Sequence, residues 1–190
     1  MIKNIFVLFI LLTAACSSAK VQKDDDHFGP VEERLEDGTL VMKFDIDQDG
    51  RPDVWKYFKE EASKEDASVL TRLLIKKEVD VNYDGTKNVT RHYNEDQVLK
   101  LEEVDVDLNG KVDIVNYFDN GVLAKKDLFD ENERKVTTRY YDERNRVERV
   151  EKDTNGDSAI DYWEYYEAGV LDRIGRDLNN DGRADTWQTR

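Results

Sequence analysis

Aspartate and asparagine recur in this chain at alternate positions of short, glycine-containing stretches. The last of them places Asp177, Asn179, Asp181 and Asp185 at positions 1, 3, 5 and 9, with Gly182 at position 6. In so tight a loop alternate side chains can turn their oxygens inward, and the backbone carbonyl of position 7, here Arg183, can join them. Hard cations such as Ca²⁺ are held this way, by six to eight oxygens. Four earlier stretches repeat the pattern. They are Asp45, Asp47, Asp49 and Asp53 with the Arg51 carbonyl; Asp80, Asn82, Asp84 and Asn88; Asp105, Asp107, Asn109 and Asp113 with the Lys111 carbonyl; and Asp153, Asn155, Asp157 and Asp161 with the Ala159 carbonyl. Such loops also occur simply as polar turns, but five phased copies favour Ca²⁺ as the cofactor. The first loop, with four carboxylates, is expected to bind most strongly. The second is weakest, because Asn82 and Asn88 replace acids. In the fifth unit glycine stands at position 4 (Gly156) instead of 6, so its bend is expected to be made differently.

The elements that carry these loops follow from the spacing. A degenerate unit opens at Asp127, so units start at 45, 80, 105, 127, 153 and 177, an internal repeat of about 24 residues. After the loops come runs such as Val54–Phe58, Ile114–Phe118 and Tyr162–Tyr166. Aromatic and β-branched enrichment over about five residues indicates strands, and the spacing leaves no room for helices. The glutamate that EF-hands use at loop position 12 is matched only by Glu164. Ligands at alternate positions between two strands resemble instead the calcium-binding β-hairpin loops of integrin-type FG-GAP repeats. That resemblance covers the loops and their flanks, and it implies calcium without implying a propeller. The expected fold is all-β, an antiparallel meander of hairpin repeats in one twisted sheet that could curl towards a barrel. The insertion over 59–70 reads as a loop with some helix. Trp55, Trp163 and Trp187 fall at position 11, with Tyr57, Tyr117 and Tyr165 two places on, so alternation puts all six on one face. They are expected to form the core; the alternative is an aromatic stripe that binds carbohydrate.

Composition narrows the function. The 190 residues carry a net charge of -14 with no basic stretch, which argues against a nucleic-acid partner. His27 and His92 are the two histidines, and neither stands in a nucleophile–base–orienter set, so catalysis is not expected.

The N-terminus sets the compartment. Lys3, the apolar run Ile5–Ala15 and the small residues before Cys16 describe an export signal. Leu12-Thr-Ala-Ala-Cys16 resembles the lipobox of bacterial lipoproteins, with Thr13 departing from the usual aliphatic residue. The resemblance implies a signal peptide over 1–15 and lipidation at Cys16, and Ser17 and Ser18 imply sorting to the outer membrane. Residues 16–30 then form a flexible tether, and 31–190 the β-repeat domain. The expected protein is a calcium-binding outer-membrane lipoprotein, facing the periplasm or the cell surface. It would act as a structural or protein-interaction module with an envelope protein partner; the alternatives are a docking subunit of an export or motility machine and a carbohydrate-binding lipoprotein.

Overall fold

Thirteen strands follow one another in chain order, and each pairs antiparallel with the next. The computed structural model describes residues 29–63, 66 and 68–189; the signal, Cys16 and the tether up to residue 28, with His27, lie outside them. The strands are β1 (Val31–Arg34), β2 (Leu40–Phe44), β3 (Val54–Ala62), β4 (Leu70–Val79), β5 (Val89–Tyr93), β6 (Leu99–Val104), β7 (Ile114–Asp119), β8 (Val122–Phe129), β9 (Lys135–Tyr141), β10 (Val147–Lys152), β11 (Tyr162–Glu167), β12 (Val170–Arg176) and β13 (Thr186–Thr189). The expected all-β meander is present. The barrel is not: β1 and β13 pair with one neighbour each, so the sheet stays open at both edges.

Because strands alternate in direction, every even-to-odd connection emerges at one end of the sheet. All five acid loops are such connections, so the meander alone gathers them along one rim. The opposite end carries short turns, and those after β1, β5, β7, β9 and β11 are each built on a left-handed residue such as Gly38, Gln97 or Asn145. The hairpins that close at these turns share a feature hidden from the sequence. In β3/β4, β5/β6, β7/β8, β9/β10 and β11/β12 the register slips once, always on the even strand, so that Ile75, Lys100, Ala124, Glu148 and Asp172 are bulged. Just beyond each bulge an aromatic residue faces an aliphatic one: Phe58 and Leu74, Tyr93 and Leu99, Phe118 and Leu123, Tyr141 and Val147, Tyr166 and Leu171. Cross-strand pairs of this kind stabilise a sheet.

The 59–70 insertion does not form helix among the described residues. It lengthens β3 and β4, with Lys59 opposite Leu73, Glu61 opposite Thr71 and Ala62 opposite Leu70. Extending an existing ladder satisfies the backbone at once, whereas one helical turn would have nothing to pack on.

A single sheet has no second layer, and burial reflects this. Only Leu40, Val41, Val115 and Val150 are buried apolar residues among those described, against eleven buried polar ones. The tryptophans therefore do not form the expected core. Trp55 and Trp163 are half-buried and Trp187 is 52% exposed. The expected shared face is correct: register places Trp55, Trp163, Trp187, Tyr57, Tyr117 and Tyr165 on one side.

Candidate functional site

The five loops share one construction. At position 1 an aspartate takes the backbone N–H groups of positions 4 and 6: Asp45 from Gln48 and Gly50 (2.7 and 2.9 Å), Asp80 from Tyr83 and Gly85 (2.8 and 2.7 Å), Asp153 from Gly156 and Ser158 (2.7 and 2.9 Å), and Asp177 from Asn180 and Gly182 (2.8 and 2.7 Å). Asp105 does the same for Gly110 at 2.9 Å. At position 9 the side chain closes the loop by accepting from position 2. Asp53 accepts from Ile46 at 2.6 Å, Asn88 from Val81 at 2.9 Å, Asp113 from Val106 at 2.6 Å, Asp161 from Thr154 at 3.0 Å and Asp185 from Leu178 at 2.7 Å. At position 5, Asp49, Asp84, Asn109, Asp157 and Asp181 each accept from the N–H two residues on.

Such winding needs left-handed backbone at two places, positions 4 and 6. Gln48, Tyr83, Leu108 and Asn180 have φ of 58–67°, each followed two residues later by a left-handed glycine. In the fifth loop the roles are exchanged: Gly156 has φ 81° and Ser158 has φ 73°. Its bend is thus the same as the others, contrary to expectation. The signal was in the sequence, since a glycine at position 4 in one copy marks that position as left-handed in all.

The degenerate unit is also corrected. Asp127 is not a loop residue. It lies buried on β8, takes a hydrogen bond from Thr138 at 2.7 Å and pairs with Lys125 at 3.2 Å. Backbone bonds identify the true equivalents. Position 1 of each loop donates to position 9 of the preceding one, Asp80 to Asp53, Asp105 to Asn88 and Asp177 to Asp161, and here the donor is Phe129, to Asp113, while Val136 accepts from Asp153. Phe129 and Val136 thus replace the acids at both ends of the loop, and unit spacings after the first become 25, 24, 24 and 24. Between them Arg134 clamps Asp130 (2.6 and 2.9 Å) and reaches the Gly156 carbonyl of the next loop at 2.9 Å. Lys111 bridges in the same way, its ammonium reaching from the third loop to the Glu131 carbonyl at 2.9 Å.

Every side-chain donor in the five loops is a hard oxygen, with no imidazole or thiolate, which suits Ca²⁺ or Mg²⁺ better than zinc or copper. Carboxylate oxygens of Asp45, Asp47 and Asp49 converge to within 4.8 Å of one another, as do those of Asp105, Asp107 and Asp113. Elsewhere amides stand between the acids: Asn82 donates to Asp84 at 2.8 Å and Asn155 to Asp157 at 3.0 Å. Arg51, read for its carbonyl, also places its guanidinium on Asp49 (2.6 and 2.8 Å) and holds that carboxyl below its usual range. The second loop has its own cation. Lys87 turns out of it to pair with buried Glu78, which also accepts from Tyr57 at 2.6 Å and Lys76 at 2.7 Å. Burial pushes the Glu78 carboxyl up, but these hydrogen bonds outweigh it and bring it down to about 2.

Behind the rim, the aromatic stripe is covered by cations. Lys76 sits 4.0 Å from the Tyr57 ring centroid, Lys125 3.8 Å from Tyr117, Arg149 4.0 Å from Tyr140 and Lys87 4.8 Å from Trp55. On Trp55, Tyr57, Tyr117 and Tyr140 one ring face on which a sugar could stack is thereby occupied.

No protein-family model and no curated protein sequence matches the chain. Partial likenesses exist among solved structures. The accessory secretory proteins 1, 2 and 3 of Streptococcus pneumoniae match at TM-score 0.39 and 13% identity, over 57% of this chain and 19% of that one. The GtfA/B complex bound to UDP and GlcNAc matches at 0.40 and 14%, over 63% and 24%. TarM from S. aureus matches at 0.36 and 9%, over 76% and 21%. The chain spans less than a quarter of the length of each, and likenesses at this level carry no argument about activity.

Proposed function

We propose that this chain is a calcium-binding β-sheet module of the bacterial cell envelope, anchored through lipid on Cys16 in the outer membrane. It acts as a structural or protein-interaction element, not as an enzyme. One observation carries the metal reading: five loops of different sequence repeat one winding, in which position 1 gathers N–H groups from inside the loop and position 9 closes on position 2. The first and third loops draw three carboxylates together. Bringing them within contact of one another without a cation costs Coulomb energy, and a cation that binds only the folded loop stabilises it by mass action.

Calorimetric titration of the full chain with CaCl₂ tests this. The expected result is binding at no more than five sites, strongest in the first loop, with affinities of roughly 10⁻⁴ to 10⁻³ M. Absence of binding heat together with an unchanged melting temperature in chelator would refute it. Anchoring is tested separately by Cys16→Ala; membrane fractionation equal to the wild type removes the lipid from the account.

A further inference from the structure

The two faces of the sheet differ in charge. On the tryptophan face the two rows that run through Trp55 and Tyr57 hold five Lys or Arg and five Asp or Glu. Four of the five acids there are ion-paired, Glu33 with Lys43, Glu78 with Lys76, Asp127 with Lys125 and Glu151 with Arg149, and Glu103 lies 3.4 Å from the His92 imidazole. The opposite face holds eight Lys or Arg against three Glu in the three rows that run through Val54, Lys56 and Phe58.

Its middle row sets like charges directly across from one another: Lys56 opposite Lys77, Lys77 opposite Arg91, and further on Lys126 opposite Arg139. Like charges in such positions destabilise a sheet, and a chain with 43 Asp and Glu against 29 Lys and Arg had acids to place there. Lys77 registers the conflict, its amine held below its usual value by burial and then by repulsion from Arg91 and Lys56. Among the described residues, Lys56, Lys77, Lys126 and Arg139 have no carboxylate within salt-bridge distance. The row is bracketed by apolar ones. Towards the loops stand Phe44, Val79 and Ile114, and towards the turns Phe58, Tyr93 and Phe118, all half-buried.

We infer that this face lies on an anionic lipid surface, with Lys56, Lys77, Lys126 and Arg139 against headgroup phosphates and the flanking rings at headgroup level, while Arg91 is held by Glu102 at 2.8 Å. Charge complementarity selects an anionic partner, and its extent selects a surface. From β3 to β9 the cations span about 30 Å at roughly 4.8 Å per strand. An acidic peptide would ordinarily seek a groove or a sheet edge, and these cations stand on neither. Basic side chains at an anionic leaflet are worth about 1 kcal/mol each, and tyrosine favours the membrane–water interface. The acidic loops project from the strand ends, and salt screens charges beyond about 8 Å at physiological strength, so they do not cancel the face.

The test is co-sedimentation of the full chain, in chelator, with vesicles of phosphatidylcholine alone or with phosphatidylglycerol added. The expected result is at least about tenfold tighter binding to the anionic vesicles, lost by about tenfold in Lys77→Glu/Lys126→Glu. The charge-matched Lys59→Glu/Arg144→Glu, altered at the turn end, should lose less than about twofold. The apolar N-terminal run is common to all three proteins, and circular dichroism establishes that each is folded. Equal binding to both vesicle types, wild-type binding by the Lys77/Lys126 variant, or binding only with calcium would overturn the proposal. Equal affinity for soluble polyglutamate would overturn it too, giving the face to an acidic polypeptide. The chelator makes the outcome independent of whether the loops bind calcium.

Discussion

Gly175 and Glu78 show how much a single side chain decides in a one-layer sheet. Gly175 occupies the row that holds Glu78, Glu103, Asp127 and Glu151 on other even strands. The Trp187 ring lies on its backbone, so that an added Cβ would meet ring atoms at 2.9 Å and the Ala184 Cβ at 3.1 Å. Gly175→Ala is expected to destabilise the last hairpin by about 1–3 kcal/mol, read as increased Trp187 exposure in fluorescence quenching and a lower denaturant midpoint. Glu78 supplies a pH dependence. Its carboxyl is depressed from an ordinary 4.5 to about 2 in the folded chain, so the folded state binds fewer protons than the unfolded state between those values. The stability it contributes is complete above pH 4.5 and is lost as pH falls towards 2. At 1.36 kcal/mol per unit this is at most ~3 kcal/mol. Glu78→Gln should flatten the acid limb of a stability–pH curve measured by urea unfolding; an unaltered limb would show that other carboxylates set it.

At the scale of the element, a loop here is a hydrogen-bonding scheme more than a list of acids. Position 1 gathers the N–H groups of positions 4 and 6, position 9 closes on position 2, and each loop is bonded to the next through the backbone. Removing one position 1 side chain should therefore do two things. Asp105→Ala is expected to abolish one calcium equivalent in titration and to cost about 1–3 kcal/mol in chelator, because the Gly110 N–H loses its partner with or without metal. The fourth loop has apolar Phe129 and Val136 at its ends and Arg134 inside, so Asp130→Ala should leave calcium stoichiometry unchanged. Ser158 holds a left-handed conformation that costs a non-glycine residue about 1–2 kcal/mol. Glycine loses part of that gain to unfolded-state entropy, so Ser158→Gly should raise the thermal midpoint modestly.

Taken as a whole, the molecule is an open array whose units touch only their neighbours, so stability is close to a sum of local and nearest-neighbour contributions. With four buried apolar side chains among the described residues, hydrophobic burial is thin. Cross-strand pairs, ion pairs and cation–ring contacts carry a correspondingly larger share. Ligand linkage should therefore be conspicuous: calcium at about 100 times a site's Kd adds about 2.7 kcal/mol per occupied loop. A calorimetric melting curve should move upward with calcium, and an unmoved curve would mean that the folded loops do not bind it selectively.

The sequence by itself determined the strands, the meander and the acid loops, because alternation, turn residues and ligand spacing are local patterns that the chain writes directly. It also determined that the tryptophans share a face, since alternation survives any packing. What it did not determine lay in register. The bulges on the even strands, the displacement of the fourth unit from Asp127 to Phe129 and the row that opposes Lys56, Lys77 and Arg91 depend on which residue stands across from which. That is settled between strands, not along them. The absence of a core was likewise a tertiary decision. Half-buried Trp55 has the same neighbours in sequence whether a second layer covers it or not, and only the open, unlayered sheet left its ring to be covered by Lys87.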